Sequence, residues 1–336
     1  MTALRLDPDQ DALDFGASVR DLLADLAPAG VLRAAWDSPE GRIPGVWARL
    51  ADLGVLGSLV PEDLGGLGLD VRSVLPVLIA SGHAALPEPL VETLVGSALL
   101  ASAGGEVAAR WLPEIAAGKA VVGVGIGPGE LVNAGPWADL FVLRDKDGRL
   151  HAVEAADVTV VATPSLDQGV RLADVQWQPG EATVVSQADD DAGIDLASVA
   201  VAAQLVGLGE AMLDLSVRYA LQREQFGKLI GSFQAVKHQL ADVYVANAFA
   251  KPVVARAAWS VARDLPTRSR DASHAKYAAS RAAARAARTA LQVHAGIGYT
   301  YEHDLHMWLK RTWSLTSLWG DTAWHRTRVA DYILED

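Results

Sequence analysis

Cysteine is absent from all 336 residues, which excludes disulfides, thiolate nucleophiles and thiolate metal sites. Basic charge is short as well: 29 Lys and Arg against 41 Asp and Glu leave a formal net charge of −12. A protein that tracks nucleic-acid phosphates needs a basic face, and so does one that adsorbs to anionic lipid; neither partner is expected. No apolar run reaches the roughly 18 uninterrupted residues of a membrane helix, since the longest, Leu196 to Leu215, is broken by Gln204 and Glu210. The opening Met1-Thr2-Ala3-Leu4-Arg5-Leu6-Asp7-Pro8 lacks the basic and apolar regions of a signal peptide. These absences suit a cytoplasmic protein.

Hydrophobic residues make up 51% and charged residues 21%, an ordinary balance for a globular chain with enough length for two or three domains. Leu13, Phe15, Val19, Leu22, Leu23 and Leu26 recur at helical spacing. Two Gly/Pro clusters, Pro61 to Gly68 and Leu86 to Pro89, read as loops between helices. From Ala120 the apolar runs become short and β-branched, as in Leu140 to Leu143 and Val158 to Val161, with turns such as Asp145-Lys146-Asp147-Gly148 between them; this is the pattern of a small, mostly antiparallel sheet. An acidic linker, Asp189-Asp190-Asp191, precedes long helices. Phe233, Val236, Leu240 and Val243 mark one apolar face, residues 272–291 are rich in the helix formers Ala and Arg, and Asp264-Leu265-Pro266-Thr267 breaks the chain between two helices. The expected fold class is therefore α+β, mainly α with a small β domain. An N-terminal helical domain spans 1–119, a middle β domain 120–188 and a C-terminal four-helix-bundle domain 189–336.

Three segments carry a resemblance. They are Val60-Pro61-Glu62-Asp63-Leu64-Gly65-Gly66-Leu67-Gly68-Leu69, with Trp111-Leu112-Pro113-Glu114-Ile115-Ala116-Ala117-Gly118 after it; Tyr219-Ala220-Leu221-Gln222-Arg223-Glu224-Gln225-Phe226-Gly227-Lys228 through Phe233-Gln234; and Gln292-Val293-His294-Ala295-Gly296-Ile297-Gly298-Tyr299-Thr300. In wording, order and separation the chain resembles the acyl-CoA dehydrogenases along nearly its whole length. The resemblance implies FAD, with the second and third segments binding the ADP half of an FAD that sits mainly in a neighbouring subunit. On that reading Arg223 faces the pyrophosphate with a fixed positive fork. Gln225 and Gln234 offer amide hydrogen bonds, and Phe226 and Phe233 offer apolar surface beside the nucleotide. Gln292 and Gly296 lie where the backbone approaches the cofactor closely, as glycine permits.

Other parts of the family pattern are missing. The chemistry removes an acyl α-proton with a carboxylate while the flavin takes the β-hydride. The resemblance puts that glutamate at Trp319, within Leu318-Trp319-Gly320-Asp321-Thr322, or at Ala197, within Asp195-Leu196-Ala197-Ser198. Neither residue accepts a proton. Asp321 is displaced by two positions and reads as a helix cap rather than a relocated base. The flavin-cradling loop is replaced by Val122-Gly123-Val124-Gly125-Ile126-Gly127-Pro128-Gly129-Glu130, read as a loop with no dinucleotide fingerprint because Pro128 and Pro136 prevent an immediate helix, and the β domain is shorter than the family's. Such a split resembles the smaller subunit of the heterotetrameric acyl-CoA dehydrogenases of actinobacterial steroid side-chain breakdown. It implies a catalytic paralogue as partner in an α2β2 assembly, an acyl-CoA substrate and an electron-transfer flavoprotein. Two alternatives remain: a subunit that only stabilises its active partner, and a self-sufficient enzyme with a relocated base.

Two further clusters have double readings. Arg281, Arg285, Arg288 and Gln292 share one helix face, either a solvated stripe or a basic one directed at phosphate or an acidic partner. His303, Asp304 and His306 have metal-ligand chemistry but also suit a helix start, and no metal is expected. The tryptophans, Trp308, Trp313, Trp319 and Trp324 among them, read as core and interface packing.

Overall fold

A computed structural model describes residues 6–127, 131–186 and 191–334. Pro128 of the glycine-rich stretch and Asp189-Asp190 of the acidic linker lie outside them.

The N-terminal helices are α1 (Gln10–Leu26), α2 (Ala29–Asp37), α3 (Val46–Asp52), α4 (Val71–His83), α5 (Leu90–Ala103) and α6 (Gly105–Ala116). Asp9 and Asp70 start α1 and α4 by accepting the amides of Ala12 and Arg72, so orphan donors of each first turn are satisfied.

Among the described residues seven strands follow: β1 (Val122–Gly125), β2 (Leu131–Asn133), β3 (Leu140–Arg144), β4 (Leu150–Glu154), β5 (Thr159–Thr163), β6 (Leu172–Gln176) and β7 (Val184–Ser186). They form a four-stranded sheet in the order β1-β3-β4-β7 and a three-stranded sheet in the order β2-β6-β5. All pairings are antiparallel except β1 with β3. The glycine-rich stretch is thus corrected in its first half, which is strand rather than loop. Methyl groups on Gly123 and Gly125 would stand 2.9 Å from the Phe141 ring and 2.8 Å from Leu143, so those glycines clear space for large neighbours on β3.

The C-terminal region comprises α7 (Ala192–Ala220), a small hairpin of β8 (Glu224–Gln225) and β9 (Lys228–Leu229), α8 (Gln234–Ala262), α9 (Arg268–His294), α10 (Leu305–Ser317) and α11 (Thr322–Leu334). Helix α7 is long and apolar enough to cross a membrane by length and composition, yet 89% of its most apolar window is buried inside the protein. It is the central rod of the core, packed by α4, α8, α9 and α10. Glycine makes the α4–α7 crossing possible. A methyl on Gly82 would meet the Gln204 carbonyl oxygen at 2.0 Å, and one on Gly207 that of Ile79 at 2.0 Å, so the two backbones touch where any side chain would part them. Helix α9 uses alanine for the same purpose: Ala275, Ala279, Ala283 and Ala286 are buried against the bundle, and their small methyls let the helices approach.

Buried polar contacts tie the three regions together. Arg311 of α10 donates from Nε to Asp167 at 2.5 Å and from Nη1 to the Leu86 carbonyl at 2.6 Å. Asn133 of β2 donates to Glu92 of α5 at 2.7 Å, and Arg42 binds Glu88 at 2.7 Å. Charges buried in this way need partners, because an unpaired one costs far more than the pair contributes.

Candidate functional site

Two places bear on the expected chemistry. The first is a cleft of about 320 Å³ between the end of β1 and the turn joining α10 to α11, lined by Val124, Gly127, Leu131, Asn133, Leu318 and Trp319. No carboxylate lines it among the described residues. The Trp319 indole is only 8% exposed and lies against Gly127, where a methyl would reach its ring at 3.3 Å. Trp319 and Gly320 both adopt the left-handed conformation, at φ 59° and 93°. That costs a tryptophan about 1 kcal/mol or more, so something must hold it. Lys276, fully buried on α9, donates its ammonium to the carbonyls of Thr316 and Gly320 at 3.1 Å each. His325 Nε2 donates to the Trp319 carbonyl at 3.0 Å. Burial pushes the Lys276 ammonium down to about 7, Asp321 only partly opposing it. Burial, aided by the Lys276 charge, lowers His325 to about 3, so its ring is neutral.

Beside Trp319 is a second, much smaller space with room for about one water. Glu88, Glu92, Gln204 and Arg311 line it, and Asn133, Leu318 and Trp319 face both spaces. The indole is therefore part of a wall dividing what would otherwise be one cleft. Glu92 behind that wall is fully buried, and desolvation raises its pKa despite the Asn133 bond. Neither Glu92 nor Lys276 was singled out from sequence. A lone acid within apolar Leu90–Ala103, and a lone lysine amid the alanines of α9, were the available signals.

The other positions considered for a base do not supply one. Ala197 is wholly buried on α7. Asp195, two residues away, is held by Ser269 at 2.6 Å and Arg328 at 3.2 Å, pinning the start of α7 to α9 and α11. Asp321 is exposed and accepts the Trp324 amide at 2.8 Å, so it caps α11 as its sequence position suggested.

The second place is the exposed end of the bundle where α7 passes into α8. Arg223 follows the last turn of α7, its amide bonded to the Tyr219 carbonyl and its own carbonyl accepting from Ile230. Gln225 sits in the β8–β9 hairpin and donates to the Glu224 carbonyl at 2.7 Å. Phe226 occupies the hairpin turn with φ 53° and is 92% exposed. Its ring meets Phe233 edge-on at 6.3 Å, and the Lys228 ammonium lies 4.6 Å over the Phe233 ring. Gln234 is the first residue of α8. Tyr219 stacks on His294 at 4.4 Å, two residues beyond Gln292. That stack brings the end of α9, with Gln292 and Gly296, to the same end of the bundle. Arg223, Gln234 and Gln292 are exposed, and their side chains have no hydrogen-bond or ion-pair partner among the described residues. A methyl on Gly296 would meet nothing within 4 Å. No contact with the described residues demands glycine there.

The histidine cluster forms no such site. His303 Nδ1 accepts the Leu305 amide at 3.1 Å, Asp304 pairs with Arg33 at 2.5 Å, and no group of three or more candidate ligands is placed for a metal among the described residues.

The chain is 37% identical over 307 residues to the acyl-CoA dehydrogenase IpdE2 of Mycobacterium tuberculosis, covering 90% of this chain and 91% of that protein. It is 34% identical over 304 residues to IpdE2 of Mycolicibacterium smegmatis, covering 90% and 92%. The sequence models of the acyl-CoA dehydrogenase N-terminal and C-terminal domains match residues 9–119 and 192–334. This chain belongs to the acyl-CoA dehydrogenase family. Its fold superposes on one chain of the crystal structure of the ChsE4-ChsE5 complex from Mycobacterium tuberculosis with a TM-score of 0.91, at 26% identity, covering 99% of this chain and 100% of that one.

FAD is the family's cofactor, and the two places fit it unequally. The bundle end presents a guanidinium and amides with free hydrogen-bonding capacity, which suits a pyrophosphate and an adenosine. The cleft beside Trp319 is lined by an indole and mostly apolar groups, with no carboxylate among the described residues, and so offers no group to take a proton.

Proposed function

We propose that this chain is the non-catalytic subunit of an FAD-dependent acyl-CoA dehydrogenase, gripping the nucleotide tail of an FAD whose ring lies in a catalytic paralogue. The single observation that carries the reading is the contrast at Trp319. The position where the resemblance puts the family's base is a buried indole, while the side chains of Arg223, Gln234 and Gln292 stand exposed at the surface. FAD, when bound, supplies the hydride acceptor. Arg223 would neutralise pyrophosphate charge through its planar fork. Gln225, Gln234 and Gln292 would bond phosphate or ribose oxygens, Phe226 and Phe233 would cover the nucleotide, and Gly296 would let the backbone close on it. The glutamate that takes the α-proton belongs to the paralogue, and electrons leave to an electron-transfer flavoprotein. A shared cofactor at a subunit interface makes this division possible.

An α2β2 assembly, a cytoplasmic location and a division at 1–119, 120–188 and 189–336 belong to the same proposal. So does a bulky acyl group such as a steroid side-chain CoA ester. The solved ChsE4-ChsE5 complex joins two proteins, which supports a paralogue as partner. Co-expression with a catalytic paralogue tests the reading. Flavin is expected in the complex and not in the chain alone, with Arg223→Ala weakening flavin retention by about 1.5–3 kcal/mol, roughly tenfold to a hundredfold. Full retention by the Arg223→Ala complex would favour the purely structural alternative.

A further inference from the structure

The two sheets of the β domain leave four edge strands among the described residues: β1, β7, β2 and β5. A strand edge carries unpaired N–H and C=O groups, and proteins guard it with charge, proline, a bulge or a covering element. β1 lies against α5 and β2, and β7 lies against α5. β5 packs on β6 and on the turn at Gly135–Trp137. That turn lies beneath the sheet rather than beside it, since a methyl on Gly135 would meet Ala173 of β6 at 2.6 Å, and Ala173 is wholly buried. The outer edge of β5 therefore has no strand on it among the described residues. Its five residues pair with Leu172–Gln176 without a break, so the free edge is regular. Thr159-Val160-Val161-Ala162-Thr163 holds no charge, proline or glycine, and Val161 is 47% exposed. Val160 packs on the core that includes Phe141 and Val153, so Thr159, Val161 and Thr163 form the outward face.

We propose that β5 pairs antiparallel with β5 of a second copy of this chain, about a two-fold axis at Val161. The strand is self-complementary in that register. Thr159 stands opposite Thr163 twice, Val160 opposite Ala162 twice, and Val161 opposite itself. Threonine pairs and β-branched pairs are favourable across strands. A shift of one residue would set inward side chains against outward ones. A shift of two would bring either Asp157 or Pro164 into the ladder; aspartate is depleted in strands, and proline has no N–H to give. The product is a six-stranded sheet in the order β2-β6-β5-β5-β6-β2. Its isologous contact closes on itself and stops at two copies. The sequence matches itself, and that match names a second copy of this chain as the partner. The pairing uses the β domain and not the C-terminal bundle, so it does not rest on the subunit reading above.

The absence of cysteine makes a direct test possible. Residues opposite each other in an antiparallel pair have Cα atoms about 4.5–5.5 Å apart, within reach of a disulfide. Under mild oxidation the full chain carrying Val161→Cys is expected to form a disulfide-linked dimer about tenfold or more faster than Leu166→Cys. Leu166 is the more exposed of the two, at 62%, and lies beyond the ladder. Sedimentation velocity of the unmodified chain should show a concentration-dependent dimer that is lost in Val161→Lys, where two ammoniums would face each other. Circular dichroism of the variants should match the parent, because the side chain at this position faces outward. The proposal is overturned if Val161→Cys gives no cross-linked dimer, if both thiols cross-link at equal rates, or if the dimer survives Val161→Lys. It is also overturned if Val161→Cys, co-expressed with a catalytic paralogue, forms its disulfide with the paralogue in place of a second copy.

Discussion

The two ends of the C-terminal bundle differ in how their polar groups are used. At the turn around Trp319 every strong donor is spent inward: Lys276 on two carbonyls and His325 on a third, all buried. At the α7–α8 junction the side chains of Arg223, Gln234 and Gln292 are unspent and face outward, beside a phenylalanine that is 92% exposed. A fold minimises its own free energy by satisfying polar groups and covering rings. The first region comes close to that rule by itself, His325 Nδ1 being buried without a partner, whereas the second obeys it only if something else completes it.

The comparison can be broken from the closed side. Arg311→Met removes the partner of wholly buried Asp167 behind the Trp319 wall. Unfolding is expected to cost roughly 3–5 kcal/mol less, read as a lower urea midpoint, and replacing Asp167 as well should return much of the loss. A smaller effect is expected from Trp319→Gly. Removing the indole costs about 3 kcal/mol through lost burial and a new cavity, partly offset because glycine accepts the left-handed backbone freely. Added indole should raise the melting temperature of this variant and leave the parent protein unmoved. An indole-insensitive variant would mean the ring does not fill the cleft.

The smallest effect is one of pH. Lys276 sits at about 7 in the fold against 10.5 for a free lysine, so between those values the unfolded chain binds more protons and stability rises with pH. Below about 7 the penalty for the buried ammonium is fully present, and above 10.5 it is gone. Melting temperature measured from pH 7 to 9 should climb more steeply in the parent than in Lys276→Met. Parallel profiles would show that Lys276 does not titrate in this window.

Much of the fold was legible in local pattern. The apolar spacing of Leu13 to Leu26 announced α1, and the β-branched runs after Ala120 announced the strands, because periodicity records which face is buried. The glycine-rich stretch was misread at its start. Glycine normally signals a turn, and only the bulk of Phe141 and Leu143 on a strand sixteen to twenty residues away explains Gly123 and Gly125 within β1. The Arg311–Asp167 pair spans 144 residues, a separation at which no local rule operates. At the candidate site the resemblance puts Trp319 where a glutamate is expected, since the surrounding wording survives. That its indole is buried against the cleft was not legible, because sequence does not say whether a tryptophan points into a cleft or out of it. Glu92 and Lys276 were hidden for the same reason: their meaning lies in what surrounds them in space.

The most direct measurement is the flavin content of this chain purified by itself and again with its paralogue. The account predicts no flavin per chain alone and one flavin per pair in the complex. One flavin firmly held by each copy of this chain in isolation, with acyl-CoA dehydrogenation by that preparation, would contradict it.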